Sequence, residues 1–148
     1  MNTVHKYEIR AHLYYDPEHH FWLDVNGKSA VIGLSPLIQE TSGSFVAVQF
    51  ADQGFSFRQH ERIGTVEAEK HVGALKAPVS GRIITTNEAL LENPRLINDR
   101  PYDEGWLMEI EMTDASELDN LVAGKEHIEA WFKSELKKFN DKGWIAQP

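Results

Sequence analysis

The sequence predicts a mainly β fold of the α+β class: a small β-sandwich or flattened barrel whose carboxy-terminal end is helical. Short segments rich in β-forming residues follow one another at close spacing, with turn residues between them. This pattern favours a sandwich or barrel over alternating strands and helices. The end of the chain has the periodicity of a helix instead. A chain of 148 residues is long enough for one domain with its own core.

The first third of the chain contains an alternating segment, a tight turn and a short helix. Apolar and polar side chains alternate over residues 7–13, which predicts a half-buried strand, interpreted as an added edge strand. Asn26 and Gly27 lie between two strand-like segments and predict a tight hairpin, because this pair readily adopts positive φ angles. Residues 35–40 predict a short helix with serine at its cap and proline in its first turn, ending by Gly43.

The middle of the chain is mainly β. Phe45–Phe50 predicts a strand, and residues 52–54 supply the turn that follows it. Ile63–Glu67 and Lys76–Val79 predict the two arms of a further hairpin. The apolar pair at positions 83–84 opens another strand.

The last third turns from strand to helix. Residues 88–91 predict a short helix that ends near Asn93, because Pro94 restricts the residue before it. Trp106–Met112 alternates and predicts the final strand. Beyond it, Ser116–Val122 and Lys125–Phe139 predict one or two helices.

The terminal helix has an apolar stripe. Its residues share one helical face: Ile128, Trp131 or Phe132, Leu136 and Phe139. Such a stripe packs inward more often than it docks on a partner, so we expect the helix to cover one face of the sandwich. Trp144 lies in a tail that is either tucked back or free for a partner.

Composition excludes several classes of function. The chain has no cysteine, which excludes a zinc–thiolate site, a cysteine nucleophile and a disulfide framework. The formal net charge of −8 disfavours nucleic-acid binding and suits a protein that docks on basic partner surfaces. The amino terminus lacks an apolar signal core, and no long apolar run occurs, so the expected location is cytoplasmic, although a mature organellar protein has the same features.

Lys70 is the candidate functional residue. It lies in Thr65–Val72, and eight residues later comes Pro-Val-Ser-Gly at positions 78–81. A lysine between two strand-like segments projects a long primary amine into solvent, where it can carry a covalently attached group. The competing interpretation is an ordinary solvated surface lysine.

The segments on either side of Lys70 strengthen the interpretation that it carries an attached group. The lysine segment resembles the lipoyl-attachment segment of the glycine cleavage system H protein family, in which Val-Glu-Ser-Val-Lys is followed eight residues later by Pro-Val-Ser-Gly. The resemblance spans about Tyr15 to Met112. The other matching segments are Trp22–Leu34, Gln39, Glu40, Gly43, Asn87–Pro94, Leu96–Asn98, Pro101, Tyr102 and Gly105–Leu107.

The resemblance implies a divergent, H-like lipoyl carrier with a lipoyl-domain-like fold. It implies that lipoic acid is joined by an amide to Lys70. It also implies that the lipoyl-attaching enzyme recognises Glu67, although an ordinary solvated surface charge is an equally good interpretation of this residue. The expected organisation is one carrier domain over 1–148. It comprises an added strand in 1–14, a core in 15–112 and a helical region with a tail in 113–148.

The implied role is that of a non-catalytic carrier subunit in a multienzyme system, with no catalytic residue of its own. The arm would receive a methylamine group from the pyridoxal-phosphate glycine decarboxylase and pass it to the tetrahydrofolate-dependent aminomethyltransferase. Dihydrolipoamide dehydrogenase would reoxidise the dithiol. A lipoate ligase or lipoyl transferase would attach the arm.

Departures from the family pattern leave alternatives open. The family prefers small or aliphatic residues where this chain has Glu69 and His71, and Lys76 and the Gln59-His60 pair are also unusual. These changes alter the surface that partner enzymes contact. One alternative is an H-like lipoate-binding protein that carries sulfur intermediates for a heterodisulfide-reductase-like sulfur-oxidation complex. Another is an interaction module whose lysine is never modified.

Metal-dependent catalysis and biotin attachment are disfavoured. Imidazoles and carboxylates lie close in sequence, but their spacing fits no recognised metal-binding pattern, and no metal ligand is predicted. The residues are His12, Asp16, Glu18, His19 and His20. A biotinyl lysine is normally framed by methionines, whereas Glu69 and His71 flank Lys70.

Overall fold

A computed structural model of the chain describes the backbone of Thr3–Val4 and all of residues 6–143. Within these residues the fold is mainly β with a few helices, as predicted. The strands are β1 (Thr3–Val4), β2 (Tyr7–Glu8), β3 (Tyr14–Tyr15), β4 (Phe21–Asn26), β5 (Ser29–Leu34), β6 (Phe45–Phe50), β7 (Ser56–Phe57), β8 (Arg62–Ala68), β9 (Val72–Lys76), β10 (Gly81–Thr86) and β11 (Met108–Met112). The α-helices are α1 (Gln39–Ser42), α2 (Ala89–Glu92), α3 (Leu96–Asp99) and α4 (Lys125–Asp141), and 3-10 turns occupy Pro36–Ile38 and Ala115–Asn120.

The strands form two main antiparallel sheets. The larger sheet has the order β3-β4-β5-β11-β10-β7, and the smaller has the order β6-β8-β9. Within the described residues neither sheet closes on itself, so the sandwich prediction holds and the flattened-barrel alternative does not. The strand before Lys70 and the strand after it both belong to the smaller sheet.

Side chains from both sheets share one apolar core. Ile32 and Ile110 of the larger sheet and Phe45 and Ile63 of the smaller are each no more than 1% exposed and belong to the same cluster. Burial of one such side chain contributes about 1.5–3 kcal/mol to the free energy of folding. The hairpin that carries Lys70 is therefore attached to the core through β8.

The predicted tight hairpin joins β4 to β5, with Asn26 paired to Ser29. Gly27 has φ +64 and Asn26 has no positive φ, so the glycine and Lys28 form the turn. A turn with glycine first among its central residues matches the right-handed twist of the strands. The hairpin prediction is confirmed, and its centre lies one residue later than the Asn-Gly pair suggested.

The predicted strand over residues 7–13 is mostly absent. Only Tyr7–Glu8 is extended, and it pairs with Thr3–Val4 in a separate two-stranded sheet, so it is not an edge strand of the larger sheet. The chain then turns, and the Leu13 amide donates to the Arg10 carbonyl at 3.2 Å. The alternation arose because apolar side chains in this segment enter a second core cluster beneath α4.

The short helix expected over residues 35–40 is present as the 3-10 turn followed by α1, which ends at Gly43. Ser35 does not cap it through its side chain. The Ser35 hydroxyl instead contacts Nδ1 of His20 at 3.2 Å. A buried side-chain partner has replaced the local capping bond that the sequence predicted.

The carboxy-terminal stripe packs inward, as predicted. Ile128, Phe132 and Phe139 are buried in the second core cluster, and Trp131 and Leu136 are partly buried against it. The segment predicted as a helix over 116–122 is instead a 3-10 turn, and its Val122 pairs with Tyr15. Trp144 lies outside the described residues. None of the described helices is both long enough and apolar enough to span a lipid bilayer.

A buried polar pair fixes α4 to the loop between β3 and β4. Nε2 of His20 lies 2.8 Å from Oε1 of Glu135, and Nζ of Lys138 lies 3.0 Å from Oε2 of the same carboxylate. The His20 ring also lies 4.9 Å from the Trp131 ring, centroid to centroid. The hydrogen bond from His20, aided by Lys138, lowers the pKa of the Glu135 carboxyl.

Replacing Glu135 with alanine is expected to destabilise the protein by about 1–3 kcal/mol, because it leaves Nε2 of the buried His20 imidazole without its partner. The measurement is the free energy of unfolding by urea at neutral pH. Ser134→Ala, on the exposed face of the same helix, is the matched control and should change that free energy by no more than about 0.5 kcal/mol. Equal losses in the two variants would contradict the structural role of the pair.

The same pair has a predictable pH dependence. The pKa of the Glu135 carboxyl is lower in the folded chain than its ordinary value of 4.5. Its stabilisation is therefore present above that ordinary value and is lost as the pH falls through the lower folded pKa. The difference in unfolding free energy between the parent protein and Glu135→Ala should narrow when urea titrations are repeated from about pH 5 to about pH 3. If this difference in unfolding free energy widens as the pH falls, the pKa of Glu135 is not lowered by folding.

Candidate functional site

Lys70 lies at the tip of the hairpin formed by β8 and β9. Glu67 pairs with Val72 across the two strands, and the Ala68 amide donates to the His71 carbonyl at 2.8 Å. The Lys70 side chain is exposed. A hairpin around Lys70 is present, as predicted, and it presents the primary amine to solvent. Its second arm is β9 (Val72–Lys76) and not residues 76–79 as predicted, because Pro78 has no amide hydrogen to donate and residues 77–80 form the bend that leads to β10.

The backbone of this tip is fixed although the lysine side chain is exposed. The Lys70 amide donates to the Ser42 carbonyl at 2.9 Å, and the Glu69 amide donates to the Ser44 carbonyl at 3.1 Å. In return, the Ser44 amide donates to Oε1 of Glu69 at 2.7 Å. We call residues 42–44 the brace segment. It connects α1 to β6 and holds the hairpin tip by three hydrogen bonds.

Glu69 is one of the departures from the family pattern, and here it has a structural partner. The hydrogen bond donated by the backbone amide of Ser44 favours the ionised carboxylate, so it lowers the pKa of Glu69. The Lys70 charge acts in the same direction. The carboxylate is fully exposed, so its main effect is to orient the tip and to place a negative charge beside the lysine.

Asn98 holds the brace segment from the other side. Its amide nitrogen donates to the Gly43 carbonyl at 3.0 Å, and its side-chain oxygen accepts from the Phe45 amide at 2.9 Å. One side chain of α3 therefore satisfies backbone groups on both sides of Ser44. This second layer of contacts links α3 to the hairpin tip through the brace segment.

Gly43 is required by both its backbone conformation and its surroundings. It has φ +73 and ψ −155, a region that is essentially restricted to glycine. A Cβ at this position would lie 3.1 Å from both Cβ and Oε1 of Glu69. Asn98 and Gly43 belong to segments that resemble the family, but the sequence carried no signal that both act on the tip bearing Lys70.

The Pro-Val-Ser-Gly segment at positions 78–81 leads from β9 into β10 and is held in place by side-chain hydrogen bonds. The Gln59 amide donates to Oγ of Ser80 at 2.9 Å, and the Gln59 side chain donates to the Pro78 carbonyl at 3.1 Å. Oγ of Ser80 donates to Glu117 at 2.8 Å. A Cβ at Gly81 would lie 2.4 Å from the Glu111 carbonyl oxygen, so this glycine permits close pairing with β11.

A cavity of about 380 Å³ lies beside the hairpin. Its walls come from the β3–β4 loop, from α1 with the residues around it, and from β9. Members that face it include His19, Phe21, Ile38, Thr41, His71 and Lys76. Two departures from the family pattern, His71 and Lys76, thus lie on the wall of this cavity. The sequence gave no indication that these two residues line the same cavity as His19.

The structure separates the histidines that lie together in the sequence. His12 lines a different cavity, together with Arg10 and Trp22. His20 is buried against Glu135. Asp16, Glu18 and His19 remain near one another, and Glu18 and His19 lie close to His60 from a distant turn. Glu67 is exposed on β8, and its recognition role stays a prediction.

Comparison with known proteins gives a consistent result. The family described as Glycine cleavage H-protein matches residues 13–135. The chain is 36% identical over 121 residues to the glycine cleavage system H protein of Bacillus cytotoxicus, covering 82% of this chain and 94% of that one. It is 37% identical over 119 residues to that of Anoxybacillus flavithermus, covering 80% and 93%.

A solved structure agrees in fold. The crystal structure of a glycine cleavage system H protein from Mycobacterium marinum matches with a TM-score of 0.66 and 31% sequence identity. The match covers 74% of this chain and 95% of the other.

Gly43→Ala is expected to destabilise the protein by about 1–3 kcal/mol and to loosen the hairpin tip, because the new methyl group strains the backbone and crowds Glu69. The measurements are urea unfolding and hydrogen exchange at the amides of Ser44 and Lys70. Both amides should exchange faster than in the parent protein.

The matched control is Gly27→Ala. Gly27 also has a positive φ, but a Cβ there would meet nothing within 4 Å. This variant should lose stability from backbone strain alone and leave exchange at the hairpin tip unchanged. Unchanged exchange at Ser44 and Lys70 in Gly43→Ala would refute the bracing role.

Proposed function

Because the chain belongs to the glycine cleavage H-protein family, we propose that lipoic acid is attached to Nζ of Lys70 through an amide bond. The protein is a lipoyl carrier of the H-protein type. The observation that carries the assignment to this residue is the exposed lysine on a hydrogen-bonded hairpin tip, eight residues before Pro-Val-Ser-Gly.

The geometry favours Lys70 over the neighbouring lysine of the same hairpin. Lys76 is also exposed, but it ends β9, pairs with Arg62 and lines the cavity wall. Lys70 lies in the turn itself, with its backbone amide bonded to Ser42. A fixed backbone with an exposed side chain presents one amine to an attaching enzyme in a defined position.

The proposed chemistry needs only an attached lipoyl group and a hairpin that presents it. Acylation removes the charge of the lysine and adds a chain that ends in a dithiolane, which supplies the redox and group-transfer chemistry. Tethering raises the effective concentration of the dithiolane at each docked active site without tight binding of the carrier. The proposed role is thus that of a non-catalytic subunit, with the whole chain acting as one carrier domain.

The partners follow from the glycine cleavage system. They are the pyridoxal-phosphate glycine decarboxylase, the tetrahydrofolate-dependent aminomethyltransferase, dihydrolipoamide dehydrogenase and a lipoate ligase or lipoyl transferase. The net charge of −8 favours docking on basic surfaces, so association should weaken as salt rises. Glu67, exposed on the strand that leads to Lys70, is proposed to contact the lipoyl-attaching enzyme.

Methylamine is the cargo that the family relationship supports. The relatives described above all bear the glycine cleavage name. Nothing in the described part of the chain favours sulfur cargo over methylamine. The departures at Glu69 and His71 are accommodated by contacts at the hairpin tip and at the cavity wall, and they require no other cargo.

Co-expression with a lipoate ligase in the presence of lipoate is expected to add one lipoyl group to Lys70. The measurement is intact mass followed by peptide mass spectrometry. Lys70→Arg should abolish the adduct, and Lys76→Arg, the matched control on the same hairpin, should retain it. An adduct on Lys76 alone would refute the assignment, and an unchanged intact mass would favour an unmodified interaction module.

The cargo is tested on the same material. When lipoylated protein with an oxidised dithiolane is incubated with glycine and the pyridoxal-phosphate glycine decarboxylase, glycine should lose CO2 as the S–S bond of the arm breaks. One sulfur then gains the aminomethyl group and the other becomes a thiol. A lipoylated protein that stays unloaded in this assay but takes up sulfur from thiosulfate-derived or polysulfide donors would move the assignment to sulfur transfer.

A further inference from the structure

We propose that Glu18, His19 and His60 bind a divalent transition-metal ion of the zinc type. One candidate ligand atom from each residue lies within 4.8 Å of the other two. In a tetrahedral site, two ligand atoms at about 2.0–2.2 Å from one zinc ion lie about 3.3–3.6 Å apart. Ligand atoms up to 4.8 Å apart therefore need to approach one another by up to about 1.5 Å around a shared ion. Side-chain rotation is sufficient, because Glu18 and His60 are 66% and 49% exposed.

The three residues come from two parts of the chain with fixed backbones. Glu18 and His19 lie in the β3–β4 loop, where the Glu18 amide donates to Oδ1 of Asp16 at 2.9 Å. His60 lies in the turn between β7 and β8, and its amide donates to the Ala77 carbonyl at 2.8 Å. The rings of His19 and His60 lie 5.6 Å apart, centroid to centroid, with 41° between their planes. The fold thus brings the two imidazoles together.

A buried carboxylate points into the site from behind. Asp16 is 3% exposed, and Oδ2 of this residue lies 3.6 Å from Nδ1 of His19. Among the described residues neither of these two buried atoms has a hydrogen-bond partner. A buried carboxylate oxygen without a partner is costly. Its direction toward His19 is an observation independent of the ligand cluster.

The Asp16–His19 pair has the arrangement that supports metal-binding imidazoles. A carboxylate that accepts from one ring nitrogen fixes the tautomer and raises the basicity of the other nitrogen. With Nδ1 turned toward Asp16, Nε2 of His19 is the nitrogen for the metal. An ion on Nε2 would polarise the ring and strengthen its attraction to Oδ2 of Asp16. The ion would thereby favour a closer contact between these two buried atoms, which lie 3.6 Å apart.

The donor set selects the class of ion. Two imidazoles and one carboxylate suit Zn²⁺, Ni²⁺ or Cu²⁺, whereas Mg²⁺ and Ca²⁺ prefer oxygen ligands alone. Three protein ligands leave one tetrahedral position for water. His19 also lines the cavity beside the Lys70 hairpin, so the ion would fix one ring of the cavity wall.

The test uses full-length, unlipoylated protein without a histidine tag, treated with a chelator and dialysed. This material keeps the result independent of the Lys70 proposal, since a reduced lipoyl arm would itself bind zinc. Isothermal titration with Zn²⁺, and competition against a chromophoric chelator, should give one site per chain. Mg²⁺ and Ca²⁺ should give none.

The variants identify the ligands. His19→Ala and His60→Asn should each weaken Zn²⁺ binding by at least about tenfold; asparagine tolerates the φ of +71 at position 60. Asp16→Asn keeps the oxygen that accepts from the Glu18 amide and should weaken binding by about 10–100-fold. His12→Ala and His127→Ala remove exposed imidazoles elsewhere and should leave the affinity unchanged.

Three outcomes would overturn the proposal: no stoichiometric binding by the parent protein, full affinity in His19→Ala, or an equal loss in His12→Ala. Circular dichroism and thermal unfolding of the metal-free variants separate loss of a ligand from loss of the fold. If His19→Ala proves unfolded, the affinities of His60→Asn and Asp16→Asn decide the question.

Discussion

The structure around Lys70 depends on one constraint: the backbone of the hairpin tip is held while the lysine side chain is free. The brace segment supplies the hold through three hydrogen bonds to Glu69 and Lys70. Asn98 fixes the brace segment in turn, and Gly43 permits its close approach. Because β8 is packed in the core, the tip is connected on both sides to parts of the fold that do not rearrange easily. Flexibility is thereby confined to the Lys70 side chain, which is the proposed attachment point of the lipoyl arm.

The helix α4 positions the β3–β4 loop, which contributes His19 to the cavity beside the Lys70 hairpin. His20 is buried against Glu135 of the helix, and the preceding residue, His19, faces the cavity. The loop is further closed by hydrogen bonds from the amides of Asp16 and His20. The direction of His19 is thus a consequence of how its buried neighbour packs. The carboxy-terminal helix, which sequence reasoning treated as a cover for the sandwich, also sets the geometry of the cavity.

The sequence predicted the features that depend on neighbouring residues, such as turns, strands and the buried face of a helix. The β4–β5 hairpin with its turn at Gly27, the position of Lys70 between two strands and the inward face of α4 each follow from a few consecutive or periodic residues. The bond between Glu69 and Ser44 and the meeting of His19 with His60 join distant loops, and no periodicity encodes which loops meet. The expected strand over 7–13 failed for a related reason: alternation reports which side chains are buried, and here they are buried by a turning chain beneath α4.

Glu69, one of the departures from the family pattern, changes the surface charge beside Lys70 but does not disturb the backbone that positions the lysine. The proposed attachment at Lys70 depends on the backbone of the tip, and Glu69 supports that backbone by accepting a hydrogen bond from the Ser44 amide. Recognition depends on the surface, and there the same carboxylate adds a negative charge beside the arm. This negative charge favours partners with a basic surface and makes their association rate sensitive to salt. A substitution can thus preserve the backbone of the proposed attachment site and still change the rates at which partner enzymes associate with the protein.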